Sequence, residues 1–139
     1  MSHQITGFVP YIHVQSVLES QAFYEKLGMI LDSRFGEEGD PYWARMKGKN
    51  SDLMLAKASG PIDPTTQAAL FYLYSEDISA LREHLLQSGV HNGGKFNGDE
   101  MDWPRNGRLF DINKPFYMPD GELRVHDPDG YVLLIGQLG

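Results

Sequence analysis

At 139 residues, with 41% hydrophobic and 22% charged side chains, the chain has the composition of one globular domain, long enough to bury roughly two-thirds of its unfolded surface, which excludes disorder. A net charge of −7, a pI near 5.1 and no cluster of Lys or Arg exclude nucleic acid and anionic membranes as expected partners, and would attract a cationic small molecule. With no cysteine, disulfides, thiol nucleophiles and thiolate metal sites are excluded; a cytoplasmic protein without a secretory leader or a membrane span is expected.

Apolar and polar residues alternate over 9–14, and the period then changes to helical spacing over 16–27, so the pattern predicts a strand followed by a helix. Ser16 and Glu19 have capping-box spacing, Val17, Phe23 and Leu27 share a face, and Gly28 suits the left-handed residue that stops a helix. Strand candidates follow at 30–35, 42–47 and 52–57, separated by turn-formers at 38–41 and 48–50. Residues 60–67 read as an extended linker, because Pro61 and Pro64 deny donors to any ladder. A strand at 68–74 comes next, and Asp77 can cap a helix in which Ile78, Leu81 and Leu85 recur before Gly89.

Val9 to Gly28 and Leu70 to Gly89 both span 19 positions, so an offset of 61 superposes strand on strand and helix stop on helix stop. The reading is therefore a single domain over 1–139 of α+β class, built from two pseudo-repeated βαβββ modules at about 5–59 and 68–138 that form a curved mixed sheet around a ligand cup. Module two closes with strands at 121–126 and 131–137 joined by the turn tetrapeptide Asp127-Pro128-Asp129-Gly130. Gly28 to Met54 is 26 positions, whereas Gly89 to Leu134 is 45, which predicts an inserted loop at about 92–115.

The duplicated unit, a first helix ending Phe23-Tyr24-Glu25-Lys26-Leu27-Gly28-Met29, and Asp127-Pro128-Asp129-Gly130 ahead of an apolar strand together resemble the vicinal oxygen chelate superfamily. That superfamily includes glyoxalase I, extradiol dioxygenases, fosfomycin-resistance enzymes and bleomycin-resistance proteins, and the resemblance covers residues 8–137 apart from the inserted loop. Its metal-using members carry ligands at places that here hold Val9, Leu70, Met54 or Ala56, and Leu134. A hard divalent ion needs nitrogen or oxygen donors converging at about 2 Å, which these side chains do not offer. The resemblance therefore implies no metal, no cofactor, and a protein closest in type to the metal-free bleomycin-resistance group.

In that architecture the former ligand positions face the cup, and strand alternation carries the orientation to their neighbours. Tyr11, His13, Tyr72 and Tyr74 then face inward and Ile12, Val14, Phe71 and Leu73 face the helices; Trp43, Arg45, Glu122, Arg124 and His126 also go inward, opposite Ala44, Met46, Leu123 and Val125. The expected ligand-binding set is Tyr11, His13, Trp43, Arg45, Tyr72, Tyr74, Trp103, Glu122 and Arg124, with Glu122, His13 and His126 as candidate acid–base groups. Each has a plainer alternative: the tyrosines as barrel filling, Glu122 and Arg124 as a structural ion pair, the histidines as hydrogen-bonded side chains. Within the inserted loop, Asp99-Glu100-Met101-Asp102-Trp103-Pro104 suits either capture of a cation or a solvated acidic loop anchored by Trp103.

The functional expectation is metal-free binding and sequestration of a small aromatic or cationic molecule, of the antibiotic-resistance kind. The resemblance implies a homodimer. The alternative is a glyoxalase-like or dioxygenase-like enzyme, a lyase, isomerase or oxygenase, with a relocated metal or metal-free acid–base chemistry.

Overall fold

The computed structural model describes residues 3–98 and 102–138. The chain is α+β and divides into two compact units, 1–60 and 61–139, each a βαβββ-like module with its own mixed sheet.

In the first module β1 (Tyr11–Val14) and α1 (Val17–Lys26) precede a meander of β2 (Ile30–Glu37), β3 (Asp40–Gly48) and β4 (Ser51–Lys57). The strand order is β1-β4-β3-β2, with β1 parallel to β4 and the other pairs antiparallel. The period-two pattern is realised: Ile12, Val14, Ala44, Met46 and Leu55 are buried, while Tyr11 and His13 are exposed on the other face. The helix begins at Ser16, whose hydroxyl accepts from the Glu19 amide at 3.2 Å, and buries Val17, Phe23 and Tyr24. Each such side chain contributes about 1.5–3 kcal/mol when fully removed from water. Gly28 stops the helix at φ +91°.

The turn expected at 38–41 is shorter than the turn-formers suggested, because Asp40 and Pro41 already belong to β3 and pair with Glu37 and Gly36. Gly36 carries the bulge at φ +115°, where an added Cβ would lie 2.7 Å from the Tyr42 nitrogen.

The second module runs from a 3₁₀ turn (Pro64–Thr66) through β5 (Leu70–Ser75), α2 (Ile78–Gln87), β6 (His91–Asn92), β7 (Arg108–Leu109), β8 (Glu122–His126) and β9 (Val132–Gln137). Its order is β5-β9-β8-β7-β6, with β5 parallel to β9 and β6 parallel to β7. Two expectations are corrected here. The linker is not extended throughout, because Asp63 caps a helical turn by accepting from the Thr65 amide at 3.0 Å. The segment 92–115 is not all loop: β7 lies within it, together with a bridge between Asn113 and Glu122. A two-residue strand is too short to show alternation, and its sheet position corresponds to the eight-residue β2 of the first module.

Corresponding registers make the duplication explicit. Tyr11, Met54 and Arg45 form one row across β1, β4 and β3, and Tyr72, Leu134 and Arg124 form the matching row across β5, β9 and β8. The next row is His13, Ala56 and Trp43 in one module and Tyr74, Gly136 and Glu122 in the other. Met54, not Ala56, is thus the counterpart of Leu134.

Candidate functional site

Strand β8 builds the candidate site by alternation. Leu123 and Val125 are fully buried in the core, which turns Glu122, Arg124 and His126 to the opposite face. There a cavity of about 370 Å³ is lined by Glu122, Arg124 and Leu134 from the sheet, and by Lys95, Phe96 and Phe110 from the long connection, with 111–113 closing the wall. Its volume is that of a small organic ligand, and its lining combines apolar surface with a few charged groups.

Glu122 is only 6% exposed. One carboxylate oxygen accepts from the Tyr72 hydroxyl at 2.7 Å and the other from the Tyr117 hydroxyl at 3.2 Å. Among the described residues it makes no ion pair with any Lys, Arg or His. Loss of solvent, then the hydrogen bond to Glu122 and its charge, push both tyrosine hydroxyls above their ordinary pKa, so they stay neutral donors.

Two residues along, Arg124 donates through Nε to His126 Nε2 at 2.9 Å, and Phe96 lies over its guanidinium, 3.8 Å from carbon to ring centroid. Phe110 packs edge-on against both Phe96 and His126, at 5.1 and 5.0 Å. Burial, followed by the charges of Arg124 and Arg108, pushes the His126 imidazole down to about 4. The ring is therefore neutral near pH 7, with Nε2 engaged as an acceptor. Arg82 fastens this wall, and two further arginines hold other parts of the long connection. Arg82 donates to the Phe110 carbonyl at 3.0 Å and meets Asp111 at 3.2 Å, Arg105 donates to the Pro128 carbonyl at 2.7 Å, and Arg108 meets Asp102 at 2.7 Å.

The residues singled out from sequence divide between the modules. Tyr72, Tyr74, Glu122, Arg124 and His126 come together in the second: Tyr72 reaches Glu122, Tyr74 packs on Tyr72 with centroids 5.4 Å apart, and His126 holds Arg124. Tyr11, His13, Trp43 and Arg45 share one sheet face of the first. There Tyr11 and His13 meet edge-on at 6.5 Å, Trp43 stacks on Phe35 at 5.4 Å, and Arg45 pairs with Asp52 at 3.2 Å. Trp103 is half-buried and does not line the cavity. Asp102 is already met by Arg108, while Asp99, Glu100 and Met101 lie outside the described residues. Sequence reasoning missed Phe96, Lys95 and the role of Tyr117. The available signal was one aromatic between Gly93-Gly94 and Gly98 in a long polar connection, since an aromatic held by glycines suits a wall that closes on the body.

The positions that the sequence resemblance matched to metal ligands offer nothing to hold a metal. Val9, Met54, Leu70 and Leu134 supply no hard donor, and among the described residues no three His, Cys, Asp or Glu side chains gather.

No protein-family model and no curated protein sequence matches the chain. Solved structures do. A bleomycin-binding protein complexed with bleomycin is 18% identical, with a TM-score of 0.70 over 97% of this chain and 100% of that one. The bleomycin-binding protein of bleomycin-producing Streptomyces verticillus, complexed with copper(II)-bleomycin, is 17% identical at a TM-score of 0.67, covering 99% and 100%. An antibiotic-binding protein of a Streptomyces species, TnmS3, is 19% identical at a TM-score of 0.53, covering 99% and 100%. The chain thus has the glyoxalase/bleomycin-resistance, or vicinal oxygen chelate, fold. At these identities it is the fold that is shared.

Proposed function

We propose that the chain is a metal-free binding protein that sequesters a small organic molecule, of the kind that includes antibiotics, in the β8 cavity. The observation that carries this reading is the lining of that cavity: a buried carboxylate held by two neutral tyrosines, and an arginine capped by Phe96, two positions apart on one strand. Such convergent polar groups amid aromatic surface orient a ligand, and none of the four former metal positions offers a donor. The likeness to bleomycin-binding and antibiotic-binding structures supports the same reading. We further propose a homodimer, in keeping with the exposure of Tyr11, Phe35 and Tyr42 in the first module; light scattering at micromolar concentration would return twice the chain mass.

The test is calorimetric titration with bleomycin and a panel of aromatic and cationic antibiotics. At least one is expected to bind stoichiometrically and to lose about tenfold or more in affinity in Arg124→Ala. Absence of binding across the panel overturns the reading. So does turnover of a panel compound by metal-stripped protein that disappears in Glu122→Gln, which would establish the acid–base enzyme instead.

A further inference from the structure

Three asparagines of the chain are followed by glycine, Asn92, Asn97 and Asn106, and all three lie in the long connection between α2 and β8. Glycine after asparagine permits a reaction with the backbone, because no Cβ shields its amide nitrogen from the carbonyl carbon of the preceding side chain. Attack needs that nitrogen released from any hydrogen bond, and the asparagine side chain turned toward it. The fold treats the three pairs differently.

At Asn92 both groups are held. Its Oδ1 accepts from Arg82 at 3.2 Å and from the Gly94 amide at 2.9 Å, while the Gly93 amide donates to the Leu109 carbonyl at 2.7 Å. Gly93 is also packed, since a Cβ there would lie 2.7 Å from the Phe110 ring. After Asn106, Gly107 is buried; its amide donates to the Pro104 carbonyl at 2.9 Å and its carbonyl accepts from His91 at 3.0 Å. Asn97 and Gly98 are both exposed. Gly98 stands at φ +84° with nothing beyond its chain neighbours within 4 Å of an added Cβ, and its amide donates to no acceptor among the described residues.

Position gives Asn97 a consequence as well. It follows Phe96, whose ring lies 3.8 Å from the Arg124 guanidinium carbon and packs edge-on against Phe110 and His126 at 5.1 and 6.0 Å. A change of backbone at 97 therefore bears on the wall of the cavity.

We propose that Asn97 is a site of spontaneous deamidation, and that the product remodels the Phe96 wall of the β8 cavity. The Gly98 nitrogen, giving up its proton, bonds to Asn97 Cγ; the Cγ–Nδ2 bond breaks and ammonia leaves with that proton. Water then opens the five-membered imide by breaking one of its two ring C–N bonds, which returns a proton to nitrogen and leaves a carboxyl group that ionises. Opening at Cγ gives aspartate, and opening at the main-chain carbonyl gives isoaspartate. Water is consumed, ammonia is released and nothing is oxidised. Either product adds a negative charge next to Phe96, and isoaspartate also lengthens the backbone by a methylene. Neither clause rests on the ligand-binding reading.

The experiment incubates the full chain near pH 7, folded and in urea, and follows each Asn-Gly pair by peptide mass mapping, with isoaspartate counted by enzymatic methylation. In the folded protein Asn97 is expected to convert at least about fivefold faster than Asn92 or Asn106, where a hydrogen bond must open first. In urea the three rates should converge. Asn97→Gln should remove most of the isoaspartate formed by folded protein. Amide signals of Phe96, Arg124 and His126 should shift in aged wild type and hold still in aged Asn97→Gln. Conversion at Asn92 or Asn106 that matches Asn97 in the folded chain, or an Asn97 that converts only in urea, overturns the site. Unmoved signals in a converted protein overturn its effect on the wall.

Discussion

The two modules share a register and differ in what they place on it. Arg45 and Arg124 occupy equivalent positions, yet Arg45 is paired with Asp52, whereas Arg124 is held by a neutral imidazole and covered by Phe96. Trp43 is stacked on Phe35 where its counterpart Glu122 takes two tyrosine hydroxyls. The first module thus turns Arg45 and Trp43 to partners on its own sheet, leaving the Arg45 Nε buried without a hydrogen bond among the described residues, and the second presents Glu122 and Arg124 to a cavity walled by a long connection. Duplication supplies two equivalent frames, and the chemistry follows from what each frame is given to face.

The largest effect should come from breaking the turn that differs most. Between β3 and β4 the chain turns through Lys49 and Asn50, with Asn50 at φ +57°. Between β8 and β9, buried Asp127 accepts from the amides of Asp129 and Tyr131, both at 2.9 Å. Asp127→Ala leaves those donors unmet and should cost about 4 kcal/mol in denaturant unfolding, against about 1 kcal/mol for Asn50→Ala.

Next in size is an acid sensitivity carried by His126. The folded-state pKa of His126 is depressed to about 4 from an ordinary 6.5, so the folded protein binds this proton less readily than the unfolded chain. The resulting stability is fully present above pH 6.5 and is lost as pH falls through about 4, amounting to about 3 kcal/mol. His126→Phe should flatten the stability profile over that window relative to wild type. An unchanged slope would show that the ring is not held neutral.

A reciprocal exchange then sharpens the comparison at the matched row. Gly136→Ala drives a methyl against Tyr72 and Met118 and should cost about 2 kcal/mol, while Ala56→Gly in the first module should cost about 1 kcal/mol. Similar losses at both sites would mean that Tyr72 and Met118 do not close tightly over Gly136. Smallest of all, Phe96→Ala removes the ring over Arg124 and should lower stability by about 1 kcal/mol in thermal unfolding.

Much of the fold was legible because the signals are local. Ser16 and Asp77 cap their helices as expected, accepting from Glu19 and Ala80, and Gly28 and Gly89 end them at positive φ. The equal spacings anticipated the matched registers, and alternation placed Glu122, Arg124 and His126 on one face of β8. Strand β7 escaped notice because two residues carry no period, and the turn at Pro64 was hidden by prolines that are compatible with either path. At the site, Tyr72 was singled out from sequence but its partner could not be, since Glu122 is 50 positions away. Phe96 and Tyr117 had no periodicity to mark them.

By itself, then, the sequence determined the α+β class, the two modules, the residues on each strand face and the absence of hard donors at Val9, Met54, Leu70 and Leu134, all of which follow from short-range stereochemistry and side-chain identity. Only the tertiary structure decided which charges are neutralised and which are presented. It closed Asp52 on Arg45, Phe96 on Arg124 and two tyrosines on Glu122. The Arg45–Asp52 contact is made within one hairpin, whereas Phe96 and Tyr117 reach the sheet from the long connection and Tyr72 reaches Glu122 from another strand. No pattern of spacing along the chain encodes where those partners come to rest.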